Sequence, residues 1–186
     1  LILLPLSRVE RQWPAGAGTA MGSYFLLLGL SFLFIEMAFI QKFILFLHHP
    51  LYAVSVVLCA FLVFAGMGSL ASSRWRGLRP ALAVAMSIGV LAVLYALMLP
   101  GLFGALAAAP GAVKIAISAT LIAPLAFLMG MPFPLGLSRV SEVAPDFIPW
   151  AWALNGFASV LSAVLATILA IELGFSVVVV AAVACY

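Results

Sequence analysis

The chain has 186 residues, of which 67% are hydrophobic and 7% are charged, and its mean hydropathy is +1.35. Soluble proteins carry about 25% charged residues, so this composition excludes a water-soluble globular domain. Eight basic and five acidic residues leave a net charge of +3, which fits membrane topology rather than a nucleic-acid partner. The two cysteines, Cys59 and Cys185, lie in apolar runs without a CxxC spacing, which predicts neither a disulfide framework nor a zinc site.

Long apolar runs predict the fold. Each backbone amide in lipid must be satisfied within its own helix, so uninterrupted apolar runs of about 18 to 25 residues indicate membrane-spanning helices. The predicted spans cover residues 24–47, 51–70, 81–99, 112–131, 150–171 and, in part, 174–186. We therefore predict an all-α, polytopic transmembrane helical bundle with five full spans, a truncated sixth span and the lipid bilayer as its surroundings.

The segments outside the spans predict the domain organisation. Turn-forming and polar residues mark the connections, which lie at residues 48–50, 72–77, 100–111 and 138–149. The chain begins at Leu1 without a methionine, so we expect it to be a piece of a longer protein. Residues 1–22 are predicted to be a cytoplasmic linker from a preceding domain, and residues 23–186 to be the transmembrane domain.

The basic residues predict the orientation in the membrane, because Lys and Arg near span ends are retained on the cytoplasmic side. If consecutive spans alternate in direction, six arginines lie on one side, and they are Arg8, Arg11, Arg74, Arg76, Arg79 and Arg139. Lys114 lies on the other side, and Lys42 lies within a span. We therefore predict a multi-pass protein of a bacterial cytoplasmic (inner) membrane whose N-terminal end is cytoplasmic.

Three polar residues, Glu36, Gln41 and Lys42, interrupt the first span, and Glu36 lies close to its midpoint. An ionisable group at this depth costs about 3 to 10 kcal/mol or more when it faces lipid, so we expect this span to be enclosed by other helices. Two interpretations of Glu36 stay open. Either it binds a cation, a proton or a cationic substrate, or it is a neutral acid in a structural hydrogen bond or a member of a structural ion pair.

The other polar or irregular positions within the spans are secondary candidates for a substrate-binding site. Gln41 and Lys42 point to other sides of the helix than Glu36, and Lys42 is interpreted as snorkelling toward the outer surface. Asn155 either hydrogen-bonds across helices or lines the same cavity as Glu36. Pro132 and Pro134 interrupt the fourth span, and this break either coordinates a cation through freed carbonyl groups or simply ends the helix.

Small residues predict where helices approach each other closely in the membrane. Two groups have the required spacing of small side chains, namely Gly66, Gly68 and Ser69 on the second span and Gly156, Ser159 and Ala163 on the fifth. We predict that both groups pack against a neighbouring helix.

Catalytic chemistry has no visible basis in this sequence. No combination of a nucleophile with a base, and no set of metal ligands, can be recognised. His48 and His49 precede a proline without another histidine nearby, which is typical of an interfacial loop. We therefore expect no catalytic residues, no metal and no cofactor, and a membrane enzyme acting on a lipid-phase substrate is the least supported hypothesis.

Five segments, in this order, resemble the membrane portion of bacterial spermidine-synthase-like integral membrane proteins, of the fused major-facilitator and spermidine-synthase type. They are GLSFLFIE at 29–36 leading to Gln41 and Lys42, HPLYA at 49–53, GMGS at 66–69, GMPFPLG at 130–136 and PWAWALNG at 149–156. The resemblance implies a partner domain similar to aminopropyltransferases, fused to or associated with this chain. This chain has no strand followed by a glycine-rich turn, so the aminopropyl-transfer activity is not assigned to it.

Two hypotheses of function follow. The leading one is a non-catalytic membrane domain of a spermidine-synthase-like protein that binds or transports a small cationic solute, such as a polyamine, at a buried site containing Glu36. The alternative is an interaction module whose helices anchor a catalytic domain or pair with further transmembrane helices, for example a second transporter half.

Overall fold

A computed structural model describes residues 17–75 and 78–186, and it describes only the backbone at residues 78–80. These residues form α-helices, one short 3-10 helix and no strand. In chain order they are α1 (Ala17–Leu47), α2 (Pro50–Ser72), α3 (Leu78–Ala105), α4 (Gly111–Met129), α5 (Pro132–Val143), the 3-10 turn Pro145–Phe147, α6 (Ile148–Glu172) and α7 (Phe175–Cys185). Five segments of the described chain are long and apolar enough to cross a membrane, and α7 is a shorter apolar helix. The predicted all-α transmembrane fold is confirmed.

Helix α1 lies at the centre of the bundle. Other helices bury 56% of its most apolar stretch, against 22–33% for the corresponding stretches of the other four long segments. Its most extensive contacts are with α6, followed by α7 and α2. The remaining helices leave a large part of their apolar surface exposed, as expected where the surroundings are lipid. The expectation that the first span is enclosed by other helices is confirmed.

Aromatic contacts at the two ends of α1 show how the other helices run. At its C-terminal end, the Phe46 ring stacks on Phe103 of α3 at a centroid distance of 4.3 Å, and the Nζ atom of Lys114 on α4 lies 5.3 Å from the Phe46 centroid. At its N-terminal end, Phe25 contacts Phe133 of α5 at 5.4 Å. We name these the Phe46 end and the Phe25 end of the bundle. The end of α3 and the start of α4 meet at the Phe46 end, so consecutive spans alternate in direction.

Two helices extend beyond their predicted limits. Helix α1 begins at Ala17, so the predicted linker boundary at residue 22 falls inside its first two turns; residues 1–16 lie outside the described residues. Helix α3 continues through Pro100 to Ala105, and the prediction that a connection begins at residue 100 is wrong. Proline is tolerated inside transmembrane helices because local adjustments and neighbouring groups satisfy the freed carbonyl.

The prediction of a polar loop at residues 138–149 is also wrong, because most of this segment is helical. After a break at Gly130 and Met131, α5 begins at Pro132, where the missing proline N–H would have no helical partner in any case. Helix α5 buries Leu135 and Val140 and exposes its polar face to solvent. Its polar residues therefore form one face of an amphipathic helix rather than an irregular loop.

Helices α2 and α4 approach each other closely, and glycine makes this approach possible. A Cβ atom on Gly68 would overlap the carbonyl oxygen of Phe127, and one on Gly130 would overlap that of Ala65. The two backbones are therefore in direct contact, an arrangement that small residues permit in membrane bundles. Gly66, two residues before Gly68, has no atom within 4 Å of the corresponding position.

Gly68→Ala should therefore lower the free energy of unfolding by about 1–3 kcal/mol, because the added methyl group forces α2 and α4 apart. Gly66→Ala makes the same chemical change in open space and should leave stability unchanged or slightly raised. Unfolding of the purified protein by SDS in mixed micelles measures both effects. Equal effects of the two substitutions would contradict the observed α2–α4 contact.

Candidate functional site

Glu36 lies near the middle of α1, and its side chain is only 6% exposed. Its neighbours along the helix include Ile35 and Phe39, which are buried almost completely. Other side chains of the bundle thus enclose most of the Glu36 residue. Its surroundings are therefore those in which an unsatisfied polar group is most costly.

Glu36 differs from the buried serines of the described chain in having no polar partner. Each buried serine donates a hydrogen bond to a backbone carbonyl: Ser31 to Leu28, Ser72 to Ser69, Ser118 to Lys114 and Ser162 to Leu30, at 2.6–3.1 Å. The buried Lys114 ammonium lies over the Phe46 ring. Within residues 17–75 and 78–186, no hydrogen bond or ion pair involves the Glu36 carboxyl group. Buried polar groups without a partner are rare in native structures, so this carboxyl group requires an explanation.

The chemistry open to Glu36 is that of a single carboxyl group. Its ionised form offers two acceptor oxygens, which an ammonium group or another small cation can satisfy. In the described part of the chain, no three His, Cys, Asp or Glu side chains come together as metal ligands. Glu36 would therefore meet a cation as a lone acidic group.

Lys42 and Gln41 lie apart from Glu36. The Nζ atom of Lys42 lies 4.4 Å from the ring centroid of Phe175 on α7, and six residues separate Lys42 from Glu36, which corresponds to about 9 Å along the helix axis. Gln41 is half-buried and lies about 140° around the helix from Glu36. Neither side chain shares a face of α1 with the carboxyl group.

Asn155 connects α6 to α1 at a different level of the membrane. Its Nδ2 atom donates a hydrogen bond of 3.2 Å to the backbone carbonyl of Phe25. Phe25 is eleven residues before Glu36, or about 16 Å along the axis. Of the two alternatives for Asn155, the structure has the interhelical hydrogen bond.

The two prolines lie at the Phe25 end, still further from Glu36. The carbonyl oxygen of Pro132 accepts a hydrogen bond of 2.7 Å from the hydroxyl of Tyr24, and Pro134 is half-buried in the first turn of α5. Tyr24 precedes Glu36 by twelve residues, or about 18 Å along α1. The structure thus distributes the predicted site residues over separate levels of the bundle and does not bring them together.

The two predicted small-residue groups make different contacts. Gly68 lies against α4, and Ser69 is half-buried. Ser159 donates to the carbonyl of Asn155 within α6, and Ala163 is half-buried. Gly66 and Gly156 face open space, so neither contacts another described helix. Helix α6 packs on α1 through a neighbouring row instead, formed by Ala151, Leu154, Ala158, Ser162 and Ala166.

Two groups of interest were missed by sequence reasoning. Lys114 is only 6% exposed, and its position at the start of a predicted span did not indicate this burial. Tyr24 is held by Pro132, which is 108 positions away in the chain. Neither contact has a local sequence signal, because both join residues that only the fold brings together.

No family model, curated protein or solved structure matches this chain. The functional argument therefore rests on the chemistry of the described residues.

Because its carboxyl group has no partner, Glu36→Leu should raise the free energy of unfolding, by about 1–3 kcal/mol, the usual cost of an unsatisfied buried group. Ser162→Ala removes a buried hydrogen bond and should lower the free energy of unfolding by about 0.5–1.5 kcal/mol. SDS unfolding in mixed micelles compares the two. A loss of stability in Glu36→Leu would show that the carboxyl group makes a structural interaction.

Proposed function

We propose that this chain is a non-catalytic integral membrane domain that binds a small cationic solute, such as a polyamine, at Glu36. The observation that supports this proposal is the buried carboxyl group without a partner in a bundle whose buried serines are all hydrogen-bonded. Proteins retain such groups at a cost in stability where function needs them.

A cation is the complementary occupant for electrostatic reasons. Opposite unit charges about 4 Å apart attract each other by about 4 kcal/mol at an effective dielectric constant of 20. An ammonium group also supplies the hydrogen-bond donors that the carboxylate lacks. Both effects offset part of the cost of removing the two ions from water, which is several kcal/mol per ion.

Access to Glu36 requires movement of the helices that cover it. Two cavities of about 350 and 320 Å³ lie at the Phe25 end of the bundle, and Glu36 lines neither of them. The described arrangement therefore corresponds to an occluded site. Alternation between occluded and open arrangements is the basis of solute transport across membranes, so binding at Glu36 is compatible with a transport role.

The proposal extends to the setting of the domain. The six arginines favour a cytoplasmic location for the Phe25 end, in a bacterial inner membrane. The resemblance to spermidine-synthase-like membrane proteins implies a fused or associated aminopropyltransferase-like domain, and aminopropyltransferases act on polyamines. Membership of that family remains a prediction.

Binding of radiolabelled spermidine to the purified protein tests the proposal. Glu36→Gln keeps the shape of the side chain and removes its charge, so it should weaken binding by about 10- to 100-fold, as expected for one lost charge-assisted hydrogen bond. Glu172→Gln makes the same change at an exposed position at the end of α6 and should bind like the wild type. Absence of binding in the wild type, or equal binding in all three proteins, would exclude the site.

A second candidate function is that of a helix-packing module, and Gly156 favours it. Gly156 is exposed between Trp152 and Val160, which are 59% and 73% exposed, and no atom lies within 4 Å of the position of its missing Cβ. Glycine within a helix costs about 1 kcal/mol relative to alanine, and no contact in the described chain makes use of it. A further transmembrane helix packed on Gly156, Ser159 and Ala163 would make use of the space that the missing side chain leaves.

If this surface binds another helix, Gly156→Leu should shift the purified protein from oligomer to monomer, because leucine prevents close approach. Gly101→Leu is the matched control, since Gly101 is an exposed helical glycine in open space on α3. Sedimentation equilibrium in detergent measures the association. A wild type that is monomeric, or a Gly101→Leu protein that dissociates equally, would contradict the packing role.

A further inference from the structure

Two adjoining cavities open between α1, α3 and α5 at the Phe25 end. The first, which we name the rim cavity, has a volume of about 350 Å³ and is lined by the start of α1 and the second half of α5. The second, the inner cavity, has a volume of about 320 Å³, lies about one turn deeper along α1 and reaches the end of α7. Tyr24 and Ala81 line both. Each volume falls within the range of about 300–1,000 Å³ that is typical of small-molecule sites.

The polarity of the lining changes from one cavity to the other. The rim cavity carries Ser138 and the ion pair between Arg139 and Glu142, whose Nη1 and Oε2 atoms are 3.0 Å apart. The inner cavity is lined mainly by aliphatic side chains, among them Leu28 and Leu82. Its lining therefore changes from charged to apolar with increasing depth.

Tyr24 is held in place between the two cavities. Its hydroxyl donates to the carbonyl oxygen of Pro132 at 2.7 Å, and its ring lies against Gly136, where a Cβ atom would overlap the ring. Contacts on both ring and hydroxyl fix the side chain, so the shape of the two cavities is set by the packing of α1 against α5.

We propose that the two cavities bind one phospholipid that has a primary-amine zwitterionic headgroup, such as phosphoethanolamine. Its phosphate lies beside Arg139, which suits phosphate geometry, and its ammonium group lies beside Glu142. One acyl chain enters the inner cavity, whose mainly aliphatic lining suits a hydrocarbon chain. The headgroup replaces the exposed Arg139–Glu142 ion pair, which is readily exchanged because both side chains are largely in solvent.

The charges at the rim select this headgroup over the other common ones. An anionic phosphoglycerol headgroup would pair its phosphate with Arg139 but has no cation to pair with the Glu142 carboxylate. A phosphocholine headgroup carries a quaternary ammonium, which has no N–H to donate to the Glu142 carboxylate. A primary ammonium supplies both the positive charge and the donors.

Native mass spectrometry of the purified protein tests the proposal, with phosphatidylethanolamine, phosphatidylcholine and phosphatidylglycerol of identical acyl chains as probes. The wild type should bind one phosphatidylethanolamine saturably, and about tenfold more tightly than either other lipid. Ala81→Phe fills both cavities and should weaken that binding by about tenfold or more. Ala83→Phe, at an exposed position of α3 that lines neither cavity, should bind like the wild type.

The headgroup contacts are tested by Arg139→Gln and Glu142→Gln, which alter exposed side chains. Glu142→Gln should remove the preference for phosphatidylethanolamine while a lipid still binds, and Arg139→Gln should weaken the binding of all three lipids, because each carries the phosphate. Absence of saturable binding, equal affinity of the wild type for the three lipids, or equal losses in Ala81→Phe and Ala83→Phe would each overturn the proposal. Spermidine binding at Glu36 should be unaffected by Ala81→Phe, so the lipid site and the cation site fail independently.

Discussion

The contact between α1 and α6 sets the position of the polar groups around it. Asn155 and Ser162 on α6 donate hydrogen bonds to the backbone carbonyls of Phe25 and Leu30 on α1. Between them, Gly29 lies so close to the backbone of Asn155 that a Cβ atom would be 2.5 Å from its carbonyl oxygen. Within a membrane, hydrogen bonds between helices have no competition from water, and close backbone approach increases the packing contacts. Because both bonds lie toward the Phe25 end, this part of α1 has fixed surroundings.

Glu36 lies beyond this hydrogen-bonded region and has no comparable support. Toward the Phe46 end, the two lysines near α1 contact aromatic rings rather than acids, Lys42 with Phe175 and Lys114 with Phe46. Phe46 is ten residues beyond Glu36, or about 15 Å along the axis, so Lys114 cannot pair with Glu36. Cations and carboxyl group are thus kept apart by the fold. An arrangement selected only for stability would have paired or replaced them, since isolated buried charges are destabilising.

The sequence was sufficient to predict the spans and the enclosure of Glu36, because both follow from the physics of lipid: apolar length defines a span, and an acid at mid-depth must be covered by protein. It was insufficient where the outcome depends on long-range packing. The row of α6 that contacts α1 includes Ala158 and Ser162, one position away from the predicted Ser159 and Ala163, because several faces of this helix carry small residues. Helix α5 was missed because its amphipathic pattern is short and begins with two prolines. Helix α3 continues through Pro100 because a transmembrane helix tolerates the loss of the one backbone hydrogen bond that proline cannot donate.

Helix α7 connects the two proposed sites. It lies along α1 from Lys42, which contacts Phe175, to the inner cavity, which Tyr186 lines, and this stretch includes the level of Glu36. It is also the shortest of the apolar helices that pack on α1. Its packing residues are small or β-branched, namely Val178, Val179 and Ala182, and no hydrogen bond from a side chain of α7 to α1 is found in the described residues. Displacing α7 would therefore break fewer specific contacts than displacing α6.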